Sequence, residues 1–234
     1  MTTMFSACLL LLAACDGSEP LIKRDAKAPA FPAADRPVAS IVSSRWSTEE
    51  ARDRVNEAGR VMKLADIKPG MTVADIGAGE GYYTVRLSRA VGAKGRVVGQ
   101  DIMPAVRDGL AQRVARERLA NVSVRLGEPA DPKLPGNSFD RVMMVHMYHE
   151  IEQPYEFLWR LRPSLKPGGL VVVVDADRPT QNHGTPPALL RCEFAATGYE
   201  QAGFTAMPGA GGYFATFRAV GARPEPRAIK ACRI

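Results

Sequence analysis

Two acids and three glycines in this chain stand at spacings that suit a nucleotide-bearing ligand. In VADIGAGEGYYT, Val73 to Thr84, Asp75 precedes Gly77, Gly79 and Gly81. Backbone can approach a ligand closely where no Cβ intervenes, and the N–H groups that open the following helix have no partner within it. RVVGQDI, Arg96 to Ile102, carries Asp101, 20 residues beyond Gly81, where a βαβ unit places a carboxylate for ribose hydroxyls. A carboxylate offers two oxygens to such a vicinal diol. A second set of reactive side chains lies in VHMYHEI, Val145 to Ile151, which holds His146, Tyr148, His149 and Glu150. An imidazole both accepts and releases protons near neutral pH, so His146 and His149 are candidates to take a proton from a substrate, with Glu150 orienting one ring. The polar, turn-rich segment DADRPTQNHGTPP, Asp175 to Pro187, adds His183, which either faces a substrate or caps the next helix.

The spacing of the turn narrows the ligand. A dinucleotide fingerprint is GxGxxG, whereas this chain has GxGxG with Tyr82 in the third glycine's place, which weighs against a nicotinamide-dependent oxidoreductase. Asp75 would repel a pyrophosphate but suits a ligand that carries an ammonium group. In these features the chain resembles the class I S-adenosylmethionine-dependent methyltransferases. NSFDRVMMV, Asn137 to Val145, and LRPSLKPGGLVVVVD, Leu161 to Asp175, are similar to that family's fourth strand and its following helix, turn and fifth strand, and the likeness runs from roughly 47 to 220. The resemblance implies S-adenosyl-L-methionine as cofactor. It sets Asp75, Gly77, Gly79 and Gly81 at the methionine part, Asp101 at the ribose, and Ile102 and Met103 beside the adenine. Glu128 stands where many relatives have an aspartate near the adenine amino group, and Asp131 competes for that place. The GYY and HE pairs resemble a bacterial subgroup of methyltransferases. The implied activity is methyl transfer to an unidentified small-molecule acceptor, with His146, His149 and Glu150 as catalytic candidates. The bland alternative is that each histidine only packs the wall of the cofactor pocket. No metal is assigned, because three close residues without a distant further ligand make a weak set.

The elements that must position these residues alternate along the chain. A capping pair, Ser47 and Glu50, opens an amphipathic helix reaching Ala65, which is expected to cover the cofactor site. Strands are predicted over 72–76, 96–101, 122–126, 139–145 and 170–175, with helices over 82–91, 104–119 and 154–165. A helix over 187–202 and two strands, 204–207 and 213–219, complete the pattern. The expected fold is α/β, Rossmann-like and doubly wound, with a mostly parallel seven-stranded sheet ending in an antiparallel hairpin. The loop from Asp175 to Pro187 is expected to serve as a substrate lid.

The N-terminus carries a separate signal. Leu12-Ala13-Ala14-Cys15 closes an apolar run and resembles a bacterial lipobox, which implies a signal peptide over 1–15 and a lipid anchor at Cys15. Asp16 then resembles an inner-membrane retention signal, so an inner-membrane lipoprotein facing the periplasm is expected, with a cytoplasmic protein as the alternative because the basic n-region is missing. Residues 16–45 are rich in proline and charge and read as a flexible tether, leaving 46–234 as the methyltransferase-like domain. An exported domain would stand apart from the cytoplasmic supply of S-adenosylmethionine. A non-catalytic lipoprotein that binds a nucleoside or S-adenosyl ligand is the reading that removes this conflict. The 234 residues suffice for one core, and the net charge of +6 comes from scattered basic residues without interleaved aromatics, so no nucleic-acid partner is expected. The cysteines, 8, 15, 192 and 232, form no CxxC pair, and neither a disulfide framework nor a zinc site is predicted.

Overall fold

The sheet is built from strands whose residues alternate between two apolar faces. Val73, Val97, Met143, Val172 and Val174 point to one side, where they pack with Ala58, Val61, Tyr83 and Leu87. Ala74, Ile76, Val142, Met144, Val171 and Val173 point to the other, against Phe157, Leu158, Leu190 and Phe194. A period of two with both faces apolar is what a strand needs when helices cover it on each side. The computed structural model describes residues 31–41, 47–208 and 212–233. The expected signal peptide, Cys15 and most of the expected tether lie outside the described residues. Among those described, no helix is long and apolar enough to cross a membrane.

The elements run α1 (Glu49–Arg54), α2 (Glu57–Leu64), β1 (Thr72–Ile76), α3 (Tyr82–Val91), β2 (Arg96–Asp101), α4 (Pro104–Arg116), β3 (Val122–Leu126), β4 (Phe139–Val145), α5 (Pro154–Leu161), β5 (Leu165–Asp175), α6 (Pro187–Ala196), β6 (Tyr199–Met207) and β7 (Gly212–Ala219). The sheet order is β3-β2-β1-β4-β5-β7-β6. Strands β1 to β5 pair in parallel, and β7 lies antiparallel between β5 and β6. This is the α/β, mostly parallel seven-stranded sheet with a terminal hairpin expected from the sequence. The order reverses between β1 and β4, so a crevice opens at their carboxyl ends, where ligands bind in sheets of this kind.

Several boundaries differ from the sequence reading. The first helix breaks into α1 and α2 at Asn56, whose φ of +49° is left-handed, a conformation that asparagine tolerates better than most residues. Thr48, not Ser47, caps α1 by accepting from the Ala51 N–H. Helix α6 stops at Ala196, and β6 begins at Tyr199, because Gly198 adopts φ +86° and ends the helix. Residues 31–41, expected within the flexible tether, pack on the domain. Arg36 forms a buried ion pair with Glu193 at 2.8 Å, the Ala39 N–H donates to the His149 carbonyl, and Thr180 Oγ1 donates to the Pro37 carbonyl. A buried guanidinium needs a charged partner, and Glu193 on α6 supplies it. The expectation of no disulfide is also corrected. Cys192 on α6 and Cys232 near the C-terminus are bonded, across 40 residues of sequence and without a CxxC spacing. The bridge lies against a small apolar cluster with Tyr155, Leu189 and Ile229.

Candidate active site

A cavity of about 460 Å³ opens at the carboxyl ends of β1, β2 and β4. Its floor is the glycine turn. Gly77, Gly79 and Gly81 have φ of +64°, +54° and +91°, so all three take a left-handed backbone that side chains resist. At Gly81 a Cβ would also lie 2.5 Å from Leu110 Cδ1, so glycine lets α4 seat against the turn. The Ala78 N–H donates to the Gln100 carbonyl, tying the turn to the end of β2.

Asp101 joins these parts. One of its oxygens accepts the Gly79 N–H at 3.1 Å and the other accepts the Met103 N–H at 3.0 Å. Asp101 therefore acts as a brace at the head of α4 and faces the cavity with Ile102 and Met103. Asp75 also lines the cavity, with Thr84 Oγ1 donating to it at 2.6 Å. Burial pushes its carboxyl up to about 6, against the opposing pull of Thr84 and of the Arg52 charge. Arg52 lines the same end of the cavity.

Helices α1 and α2 close this end. Arg52 donates through Nε and Nη2 to Glu57, and the Tyr83 hydroxyl donates to the same carboxylate. The Arg52 guanidinium stacks on the Tyr82 ring at 3.9 Å, and the Tyr82 hydroxyl donates to Asp53. The double tyrosine after the glycine turn thus pins α1 and α2 over it. Burial raises the Glu57 carboxyl, but the nearby His146 and Arg52 outweigh it and bring it down to about 2.

The structure separates the two histidines of the VHMYHEI segment. His146, at φ +56°, turns toward α2 with Nε2 at 3.5 Å from Glu57 Oε1. His149 is buried and sets Nδ1 at 3.0 and 3.2 Å from the Asp175 carboxylate. Asp175 is itself fixed by the Ala176 N–H and the Thr185 hydroxyl. The group that orients an imidazole is therefore Asp175 at the end of β5, not Glu150. With Nδ1–H donating to Asp175, the lone pair left to His149 is on Nε2. Glu150 lines the cavity beside it, and burial, reinforced by Asp101 and Asp175, raises its carboxyl to about 7. His183 faces the same space with its ring edge-on to that of His149 at 5.4 Å, so all three histidines of the chain border one cavity.

Glu128 does not reach the cavity. It is exposed and paired with Lys133 Nζ at 3.2 Å, because the turn after β3 closes on itself through the Glu128 and Asp131 backbones. Asp131 accepts the Lys133 N–H within that turn. Near that position the cavity has Gln100 instead, which is buried with neither amide atom hydrogen-bonded among the described residues. Gly127 leaves room for it, since a Cβ there would meet Gln100 Nε2 at 1.6 Å. The sequence reading missed Arg52, Glu57 and Gln100, whose roles depend on contacts between distant elements. Gly127 beside a strand end was the one local signal for Gln100.

Known proteins match a portion of the chain that supplies much of this cavity's lining. Residues 73–169 match the family model described as a methyltransferase domain. The domain is 41% identical over 85 residues to nocamycin O-methyltransferase of Saccharothrix syringae, covering 36% of this chain and 30% of that protein. It is 31% identical over 121 residues to demethylmenaquinone methyltransferase of Staphylococcus aureus, covering 52% of this chain and 49% of that one. The chain thus spans about half or less of the length of these curated relatives. A methyltransferase structure from Aquifex aeolicus, described as SAM dependent, superposes with a TM-score of 0.63 at 23% identity, over 74% of this chain and 98% of that one. The [4+2]-cyclase SpnF superposes at 0.59 with 20% identity, over 76% and 68%. The chain therefore shares its fold both with that methyltransferase and with a protein named for another reaction, and a shared fold does not fix the activity.

Proposed function

We propose that this chain is an S-adenosyl-L-methionine-dependent methyltransferase acting on a small-molecule acceptor. The observation that carries the reading is that one cavity is lined both by Asp75, the glycine turn and Asp101 and by His149, Glu150 and His183. The donor end fits the cofactor's chemistry. Asp75 and Arg52 present opposite charges to a zwitterionic amino-acid group, and the left-handed glycines admit it close to backbone. Each Asp101 oxygen accepts one backbone N–H and keeps capacity for a ribose hydroxyl. Gln100 brings a buried amide that has no partner among the described residues, which a heterocycle edge would satisfy. Ile102 and Met103 offer the apolar walls for its faces. The cofactor supplies a methyl carbon on a sulfonium, which departs as a neutral thioether.

The chain's own contribution is to hold and orient. Helices α1 and α2 are locked against the glycine turn by Tyr82 and Tyr83. Asp175 fixes the His149 ring so that Nε2 and the Glu150 carboxylate present lone pairs to the acceptor's reacting group. Aligning two reactants in this way supplies much of the rate of an in-line displacement. His146 is a positioning residue in this reading, because it serves Glu57. The test is transfer of label from methyl-labelled cofactor to a panel of small hydroxyl, amine and carbon acids. Label in a product whose formation requires His149 supports the reading, and release of S-adenosylhomocysteine with no acceptor in the panel above the solvent background contradicts it.

The lipobox-like leader supports a location on the outer face of the inner membrane, anchored at Cys15, and the Cys192–Cys232 bridge supports an oxidising compartment. Mass spectrometry of the mature chain from its native host tests this: acylated Cys15 is expected, and an intact Met1 contradicts it.

A further inference from the structure

At the acceptor end of the cavity, His149, Glu150 and His183 each bring one ligand atom, and these atoms lie within 4.8 Å of one another. We propose that these three side chains bind one divalent first-row transition-metal ion, such as zinc, iron or cobalt, with open coordination positions facing the acceptor. Four observations converge on this assignment. Two imidazoles and one carboxylate are a nitrogen-rich set that favours such ions over magnesium and calcium, which take oxygen cages. His149 is prepared as a ligand, since Nδ1 is engaged by Asp175, the lone pair that remains is on Nε2, and the residue lines the cavity. Outer-shell carboxylates of this kind fix the ring and raise its basicity, and Asp175 is fixed in turn by Ala176 and Thr185. His183 reaches the site from an element distant in sequence, and a left-handed backbone at φ +57° presents it. Such strained geometry is held where the surroundings over-determine it, and here the Thr180 hydroxyl ties the same turn to the Pro37 carbonyl.

Three protein donors leave room for others. An acceptor oxygen on an open position would lose its proton to solvent at a lower pH than it does free in water, because the ion stabilises the anion. In the loaded protein His149 then serves as a ligand and not as the proton acceptor. This use of the site rests on the methyltransferase reading, whereas the metal site itself does not. The substrate class that follows is a hydroxyl or enol acceptor able to coordinate through oxygen.

Cobalt(II) is a suitable probe, titrated into the untagged, chelator-treated full chain and read by visible absorption and by metal content after dialysis. One ion per chain is expected. His183→Gln and Glu150→Gln should each weaken binding by about tenfold or more, and Asp175→Asn by about 10–100-fold. His146→Gln, which alters a ring turned to Glu57, should leave it unchanged. S-adenosylhomocysteine binding by calorimetry and a thermal melt, run on every variant, report folding and the donor site separately. Absence of saturable cobalt binding, or equal affinity in the wild type and in His183→Gln with folding intact, overturns the metal site. Cobalt binding without S-adenosylhomocysteine binding would uphold the metal site and overturn the methyltransferase reading.

Discussion

Asp101 braces the glycine turn, and one substitution can separate that duty from the ribose contact proposed for it. Its oxygens brace the turn and the head of α4 through Gly79 and Met103, so Asp101→Asn, which keeps one acceptor and loses the charge, should lower the melting temperature by only a few degrees. The same change should weaken adenosyl binding by about tenfold or more, since a hydrogen bond to a charged group contributes about 1.5–3 kcal/mol. Calorimetry and a melt on one sample check both. Asp75 gives a pH signature. Its carboxyl titrates at about 6 in the folded protein and near the ordinary 3.8 when unfolded. The stability it contributes is thus fully present below about 3.8 and lost as pH rises through about 6. A ligand ammonium needs the ionised form, so S-adenosylhomocysteine affinity should rise between pH 5 and 7 and level off above. Asp75→Asn should flatten that rise, and an unchanged profile in the variant would place the titrating group elsewhere. The placement of Asp75, Asp101 and the glycines around one cavity was legible in the sequence, because it follows from local spacing. Glu128 was misplaced because position in a motif does not fix which way a turn closes.

Elements act on the site through packing that no short window of sequence contains. The pairing of Arg52 with Glu57 arises because Asn56 breaks the helix between them, and a continuous helical period hid that break. Removing one member of a buried pair leaves an uncompensated charge, so Glu57→Ala should cost about 3–5 kcal/mol in denaturant unfolding. Glu57 also has a pH window opposite to that of Asp75. Its carboxyl sits at about 2 in the fold against 4.5 unfolded, so its stabilisation is present above about 4.5 and lost as pH falls toward 2. Gly81→Ala tests the seating of α4 on the turn. A Cβ at φ +91° and 2.5 Å from Leu110 should cost about 1–3 kcal/mol and weaken donor binding, read by melting and calorimetry together. The strands and their order were readable, because a two-residue period with both faces apolar and alternation with helices leaves few topologies. The dyad of His149 with Asp175 was not, since the two meet only when β4 and β5 pair and the loop after β5 folds back through Thr185.

At the scale of the whole molecule, the segment 31–41 and the C-terminal tail both bind the α5 and α6 side of the sheet, through Arg36 with Glu193 and through Cys192 with Cys232. Closing a loop of this length restricts the unfolded chain by about 2–4 kcal/mol, so reductant should lower the melting temperature of the wild type and leave that of Cys232→Ser unchanged. Equal melts of the wild type with and without reductant would mean the bridge is not formed. In the function proposed, the glycine turn and Asp101 hold an S-adenosyl ligand. Calorimetric titration of S-adenosylhomocysteine into the full chain and into Asp101→Ala, with NAD alongside, tests it most directly. One adenosyl ligand per chain, weakened about 100-fold in the variant, and no heat from NAD is the expected outcome. No binding of S-adenosylhomocysteine, or equal affinity in both proteins, would contradict it.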